Sequence, residues 1–338
     1  MRKRQNIFSK ILFILMFLLL ITSGIGFKYY FMEPIEVEKI SYIDDYKTIN
    51  VQFSTGIVLD EKTKNNIKVL DSSGNSVALS YSLVSDSENL VIKPAESNYN
   101  LGEKYTFQVD DVQGRYFGKL NEQIKTEFLI DKLPIEQSLG LGKYMTEKVS
   151  NDKEYDWYVD QANTGKYSST NCGPASAEML GKWADENFQG YAEDARNLHY
   201  GDDGGWFTED VQNYLKSYGI ESKMHLNVTK EFIISQLDKG NIMLLGIKSG
   251  EISINEDSYE EHVDRFYWGS SGHFIIVKGY IVVDDKMYFE VYDPNSWNET
   301  YSDGTYKGKD RYYKEEEVIR ASKVWYDKLL IIEKNNNL

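Results

Sequence analysis

Cysteine is almost missing from this chain of 338 residues: there is one, Cys172, and histidine is scarce at four. A single cysteine excludes an intramolecular disulfide and any zinc site built on cysteine pairs. Positive charge is also short, with 38 Lys and Arg against 53 Asp and Glu. Five of those bases (Arg2, Lys3, Arg4, Lys10 and Lys28) fall in residues 1–32, which hold no acid. The remainder carries 33 basic and 53 acidic side chains, a formal charge of −20. Such a surface disfavours nucleic acid and anionic membranes as partners and suits a soluble, exported protein. Apolar material is not lacking, at 41% of residues with 26 Tyr among the aromatics. That is enough for real cores, and the length fits two domains and an extension.

Residues 1–32 form the extension. After the basic start, Ile11 to Phe27 is uncharged and rich in Leu, Ile and Phe. Its 17 residues are at the short end for a membrane-spanning helix, which a snorkelling Lys28 would lengthen. The stretch Thr22-Ser23-Gly24-Ile25-Gly26 is a poor signal-peptidase site, so the expectation is an uncleaved single-pass anchor with extracellular C-terminal domains, the alternative being secretion after cleavage. This helix would be the only membrane contact.

Residues 33–131 read as an all-β module. Ile49, Val51 and Phe53 alternate, as do Val77, Leu79, Tyr81 and Leu83, and then Tyr105, Phe107 and Val109. Turn formers at Asp71-Ser72-Ser73-Gly74-Asn75 and Asn98-Tyr99-Asn100 separate them, and no helix is expected between. This resembles the Ig-like sandwiches of bacterial surface proteins, and a stalk is the expected role.

Lys132-Leu133-Pro134 reads as a linker, and residues 132–338 change character to α+β. Helices are expected from Gly173 to about Glu186, from an N-cap at Thr208 to Gly219, and from Thr229 to Gly240. Strands are expected over Ile242–Ile247, His273–Val282 and Met287–Tyr292, the last two joined by a turn at Asp284-Asp285. A short helix at Glu315 to Ala321 and a strand at Leu329 to Ile332 follow, and the Asn335-Asn336-Asn337 tail is expected to fray.

Cys172 lies in Asn171-Cys172-Gly173-Pro174 at the mouth of the first of these helices, where the unpaired amides and dipole favour a thiolate. His273 begins a strongly apolar strand and Asp293 ends its hairpin partner, so both fall near one open end of the hairpin. A carboxylate there would orient the imidazole, and the imidazole would activate the thiol. Gln161, eleven residues before Cys172, has an amide that could join the Cys172 backbone N–H in an oxyanion hole. Each residue also has a plain reading: a small buried thiol, a strand-end histidine, an Asp-Pro turn, a surface glutamine.

Together, Gln161, Cys172-Gly173-Pro174, Gly272-His273 and Tyr292-Asp293-Pro294 resemble the papain-like cysteine peptidases related to the bacteriocin-processing, double-glycine leader peptidases, over about residues 145–333. The resemblance implies a papain-like α+β peptidase domain with Cys172 as nucleophile, His273 as general base, Asp293 as its orienting residue and Gln161 as oxyanion donor. It implies peptide or protein substrates and no metal or organic cofactor. The transporter domain of the processing enzymes is missing here and the Ig-like extension is foreign to them, which leaves the broader peptidase reading. Gly272 and Trp206, with Tyr267 and Trp268, are the candidates for the substrate groove.

The other histidines are weaker bases. His262 sits among Glu260, Glu261 and Asp264, where exposure and a raised pKa are expected; His199 and His225 have no strand-end carboxylate. The acidic stretch from Glu251 to Asp264 and the Gly201-Asp202-Asp203-Gly204 loop lack EF-hand spacing and read as solvated loops rather than calcium sites. Two alternatives to hydrolysis stay open: acyl transfer to an amine by the same residues, and a catalytically silent binding module.

Overall fold

The computed structural model describes residues 34–42, 47–84, 87–95, 99–116, 118–199, 204–255 and 260–334, with backbone alone for 197–199. The expected membrane segment, His199's side chain, the loop at 201–203 and the tail from 335 lie outside the described residues, as does part of the 251–264 stretch. Among the described residues no helix is long and apolar enough to cross a membrane. The chain divides into two compact units, residues 1–133 and 134–338.

The first unit is two antiparallel sheets. One has the order β1 (Val37–Tyr42), β2 (Ile49–Phe53), β5 (Asn89–Pro94), β4 (Leu79–Val84); the other runs β3 (Ile67–Leu70), β6 (Lys104–Val109), β7 (Ile124–Leu129). Alternation explains the burial: Ile49, Val51 and Phe53 are buried on one face of β2, and Tyr105, Phe107 and Val109 on one face of β6. The residues of β4, Leu79, Tyr81 and Leu83, are only half-buried, as an edge strand allows. One expectation fails: a short helix α1 (Glu61–Asn65) interrupts the strands. Asp60 nucleates it by accepting from the Thr63 N–H at 2.8 Å.

The division falls within a two-residue strand, β8 (Leu133–Pro134). In the second unit the main sheet runs β10 (Lys223–Leu226), β15 (Lys328–Ile332), β11 (Ile242–Lys248), β12 (Gly272–Val283), β13 (Lys286–Tyr292), β14 (Arg311–Lys314). The long β12 pairs with β11 over its first half and with β9 (Tyr144–Ser150) over its second. Residues 242–247 are buried without alternation because both faces are covered. Leu244, Phe274, Ile276 and Tyr292 pack on one side with residues of α2 (Cys172–Ala184) and α4 (Thr208–Ser217). Met243, Leu245, Ile275 and Val291 pack on the other with α5 (Lys230–Leu237) and α6 (Glu315–Trp325).

Several local expectations shift. The N-cap of α4 is Phe207, not Thr208: the Asp210 carboxylate accepts from the Phe207 N–H at 2.7 Å, and Thr208 is already helical. Helix α6 runs on to Trp325, past the expected end at Ala321. The helix α3 (Ala192–His199) and the strands β9, β10 and β14 carry too little pattern to read in advance. The β12–β13 turn is as expected, with Asp284 and Asp285 both at positive φ, the geometry of a tight hairpin.

That hairpin holds a β-bulge. Pairing runs Val283↔Lys286 to Gly279↔Glu290, skips Lys278, and resumes at Val277↔Val291. Skipping one residue flips the faces of everything beyond it. Past the bulge Asp293 falls opposite Ile275, on the face that also carries His273; without it Asp293 would face the other way. His273 and Asp293 are therefore diagonal neighbours rather than a directly opposed pair.

Candidate active site

Helix α2 opens at Cys172, where Ala175 N–H donates to the Asn171 carbonyl at 2.9 Å. Cys172 is half-buried, and three groups act on its thiol: the His273 ring and the backbone N–H groups of Gly173 and Phe274. Burial pushes the thiol pKa up, yet His273 and the two amides outweigh it and hold the thiol below its ordinary value. His273 shows the opposite sign: burial disfavours its charge, but Asp293 and the sulfur raise it to about 10. Asp293 is likewise penalised by burial and held low by His273 and by the donors of Tyr313 and Asn295. All three shifts favour one state, a thiolate beside an imidazolium beside a carboxylate.

The imidazole Nε2 meets Asp293 Oδ1 at 2.7 Å, so the other ring nitrogen is the one left for sulfur. Asp293 is fully buried and held at every polar atom. Its Oδ1 also accepts from Asn295 N–H at 3.0 Å, and its Oδ2 from the hydroxyls of Tyr267 at 2.9 Å and Tyr313 at 2.7 Å. Its N–H donates to the Gly308 carbonyl at 2.8 Å and its carbonyl accepts from Tyr158 Oη at 2.7 Å. A side chain at position 308 would collide with that carbonyl, which is why glycine stands there. Burying this carboxylate is tolerable only because nothing on it is left unpaired.

Gln161 is buried and starts a turn at 161–163. Its N–H donates to the Pro294 carbonyl at 2.8 Å, next to Asp293. Its side-chain Nε2 donates to the Ser168 carbonyl at 3.2 Å, four residues before Cys172, and its buried Oε1 has no partner. The glutamine thus links the Asp293 loop to the turn that leads into Cys172. The residue before the cysteine is fixed too: Asn171 Oδ1 accepts from Arg196 Nε at 2.6 Å, and its Nδ2 donates to Thr164 O and Oγ1, each at 3.0 Å.

The structure brings Cys172, His273, Asp293 and Gln161 to one place and treats the two groove candidates differently. Trp206 is buried at 5% exposure, pressed against Gly173 and packed with Tyr214; it is core, and its neighbour Phe207 is the exposed ring. Gly272 lies under the Trp325 ring, which leaves no room for a side chain there. Tyr267 serves Asp293 rather than open surface, whereas Trp268 is exposed. His262 is also a correction: it stacks on Tyr301 with centroids 4.0 Å apart, its Nδ1 meets the Asp310 carbonyl, and burial pushes its pKa down. Asp264 is not a solvated loop residue either, being paired with Lys314 at 3.0 Å. His225 stacks on Phe232.

Tyr313, Tyr158 and Asp160 escaped sequence reasoning because 26 tyrosines and 53 acids give no single one prominence. The signal was positional: Asp160 directly precedes Gln161, and Tyr313 alternates with Arg311 two residues earlier on a short strand.

A thiol at a helix mouth, an imidazole and a carboxylate in this order define a class. The chain belongs to the Peptidase_C39 like family, whose model matches residues 154–323, and this span is a C39-type cysteine peptidase domain. Among solved structures the chain is similar to a candidate C39-like peptidase from Bacillus anthracis at 13% identity, over 56% of this chain and 98% of that one, with a TM-score of 0.38. It is also similar to the N-terminal part of the bacterial S-layer protein SbsC at 19% identity, over 36% of this chain and 26% of that one (TM-score 0.25). A third is alpha-2-macroglobulin from Escherichia coli, spanning domains MG0-NIE-MG1, at 14% identity, over 35% of this chain and 43% of that one (TM-score 0.26). No curated protein matches the sequence.

Proposed function

We propose that this protein hydrolyses peptide bonds through an acyl-enzyme on Cys172. The observation that carries this reading is the chain of contacts from sulfur to imidazole to a fully paired, buried carboxylate, with His273 Nε2 2.7 Å from Asp293 Oδ1. The thiolate attacks the scissile carbonyl and the C–N bond breaks as His273 gives its proton to the leaving amine. His273 then deprotonates water, which cleaves the thioester and frees the sulfur. Asp293 keeps the ring in one orientation throughout and balances its charge. Gln161 and the Cys172 N–H stabilise the oxyanion. The first unit is an Ig-like stalk, and residues 1–32 anchor the enzyme with its catalytic unit outside the cell, as the basic start and apolar run support.

The test is turnover of an internally quenched peptide library by the wild type and by Cys172→Ala, with products identified by mass. We expect cleavage with a thioester trapped on Cys172, and a loss of about 10⁴-fold or more without the sulfur. Cleavage that survives Cys172→Ala contradicts the reading. Products extended by an added amine, in place of free acids, would make the enzyme a transferase.

A further inference from the structure

Two successive residues in the loop after Asp293 hold a backbone conformation that side chains rarely adopt: Trp297 at φ 51° and Asn298 at φ 62°. For a side chain as bulky as indole this conformation is costly and persists only where surroundings enforce it. The enforcing group is Asp160, itself buried. Its Oδ1 accepts from the N–H groups of Ala162 and Trp297, each at 3.1 Å, and its Oδ2 from the Asn298 N–H at 2.7 Å. Asn163 Nδ2 adds a bond to Asn298 Oδ1 at 3.0 Å. The loop is thereby stitched to the turn that carries Gln161.

All this constraint places an indole in water. Trp297 is 46% exposed, and its ring is tethered by Nε1 to Asn295 Oδ1 at 2.7 Å, while Asn295 N–H donates to the Asp293 carboxylate. We propose that Trp297 is a fixed platform for an apolar side chain of the peptide on the leaving-group side of the scissile bond. The side follows from chemistry: the leaving amine takes its proton from His273, so it departs past the imidazole, and the Trp297 ring is bonded through Asn295 to Asp293, the carboxylate that holds that imidazole. A rigid, tethered ring loses little freedom on binding, which is what a subsite requires. The proposal rests on the acyl-enzyme reading and deepens it.

The experiment reads that side alone. p-Nitrophenyl acetate acetylates Cys172, the sulfur attacking the ester carbonyl and p-nitrophenolate leaving. Phenylalaninamide and glycinamide at equal concentration then compete for the thioester: the C–N bond forms, the C–S bond breaks, and the amine's proton passes through His273 to sulfur. The ratio of N-acetylphenylalaninamide to N-acetylglycinamide, by mass spectrometry, measures aromatic preference. The wild type should favour phenylalaninamide by about fivefold, Trp297→Ala should bring the ratio to about one, and Trp297→Phe should restore most of it. A ratio unchanged in Trp297→Ala, or no preference in the wild type, overturns the platform. Failure to release p-nitrophenolate overturns the acyl-enzyme reading instead. The platform is then judged by tryptophan emission during phenylalaninamide titration. A saturable change lost in Trp297→Phe upholds it, and identical curves overturn it.

Discussion

At the scale of single residues, the site depends on charges that stabilise one another. Replacing Asp293 by Asn removes the counter-charge that lifts His273 to about 10, and burial, which opposes the ring's charge, then draws its pKa down. The alkaline limit of Cys172 reactivity should then fall by several pH units, as an iodoacetamide rate profile would show. The same pair contributes to stability, and the signs differ at each end. His273, raised in the folded state, contributes fully below about pH 6.5, and that contribution is lost as pH climbs through about 10. Asp293, lowered, contributes above its ordinary 3.8 and loses its effect as pH falls through its folded value. Urea denaturation of wild type and Asp293→Ala should therefore show a gap widest between about pH 4 and 6.5 and narrower at both extremes. Tyr313→Phe, which strips one donor from the buried carboxylate, should cost about 2 kcal/mol of stability and slow alkylation while leaving Cys172 in place.

Most of the proposed catalytic grouping could be named at this scale, because chemistry restricts residue type: the single cysteine at a helix mouth and a histidine at a strand start leave few alternatives. What held those residues was not legible. The two tyrosines on the Asp293 carboxylate and the arginine on Asn171 act across 20 to 26 positions of chain, and nothing in their own neighbourhoods marks them. Trp206 misled for a related reason: its place against Gly173 depends on how closely the 206 loop approaches the helix, which no local pattern encodes.

At the scale of elements, the hairpin of β12 and β13 brings His273 and Asp293 to one face. Its two strands and its turn followed from alternation and from Asp284-Asp285, but the bulge that decides which face Asp293 shares did not. Its cause is tertiary. Lys278, the skipped residue, is buried with its Nζ among Asp152 at 2.8 Å, Glu290 at 2.9 Å and Asp310 at 2.7 Å, and Gly279 lets β9 approach so closely that a side chain would strike the Val149 carbonyl. Lys278→Met should destabilise the fold by about 3 kcal/mol at pH 7, because it strands the buried Glu290 carboxylate. Urea melts of wild type and variant would show it.

At the scale of the whole molecule, the second unit holds every residue of the proposed chemistry and three hydrophobic clusters of its own. Residues 134–338 made alone should therefore fold and keep the reactivity of Cys172, measured as the alkylation rate against the full chain; a rate that collapses would tie the site to the first unit. The two-unit plan was visible in the sequence as a shift from period-two alternation to mixed helices and strands, since that shift is local. The covering of the main sheet on both faces was less visible, because unbroken apolar runs such as 242–247 fit a buried strand or a buried helix equally.

The most direct measurement is the rate of Cys172 carbamidomethylation by iodoacetamide at pH 6, followed by mass spectrometry in wild type and His273→Ala. At that pH an ordinary thiol is almost wholly protonated and inert, whereas a thiolate held by an imidazolium reacts at once. The expected result is fast labelling in the wild type and a loss of at least about 100-fold in His273→Ala. Equal, slow labelling of both proteins would contradict the account.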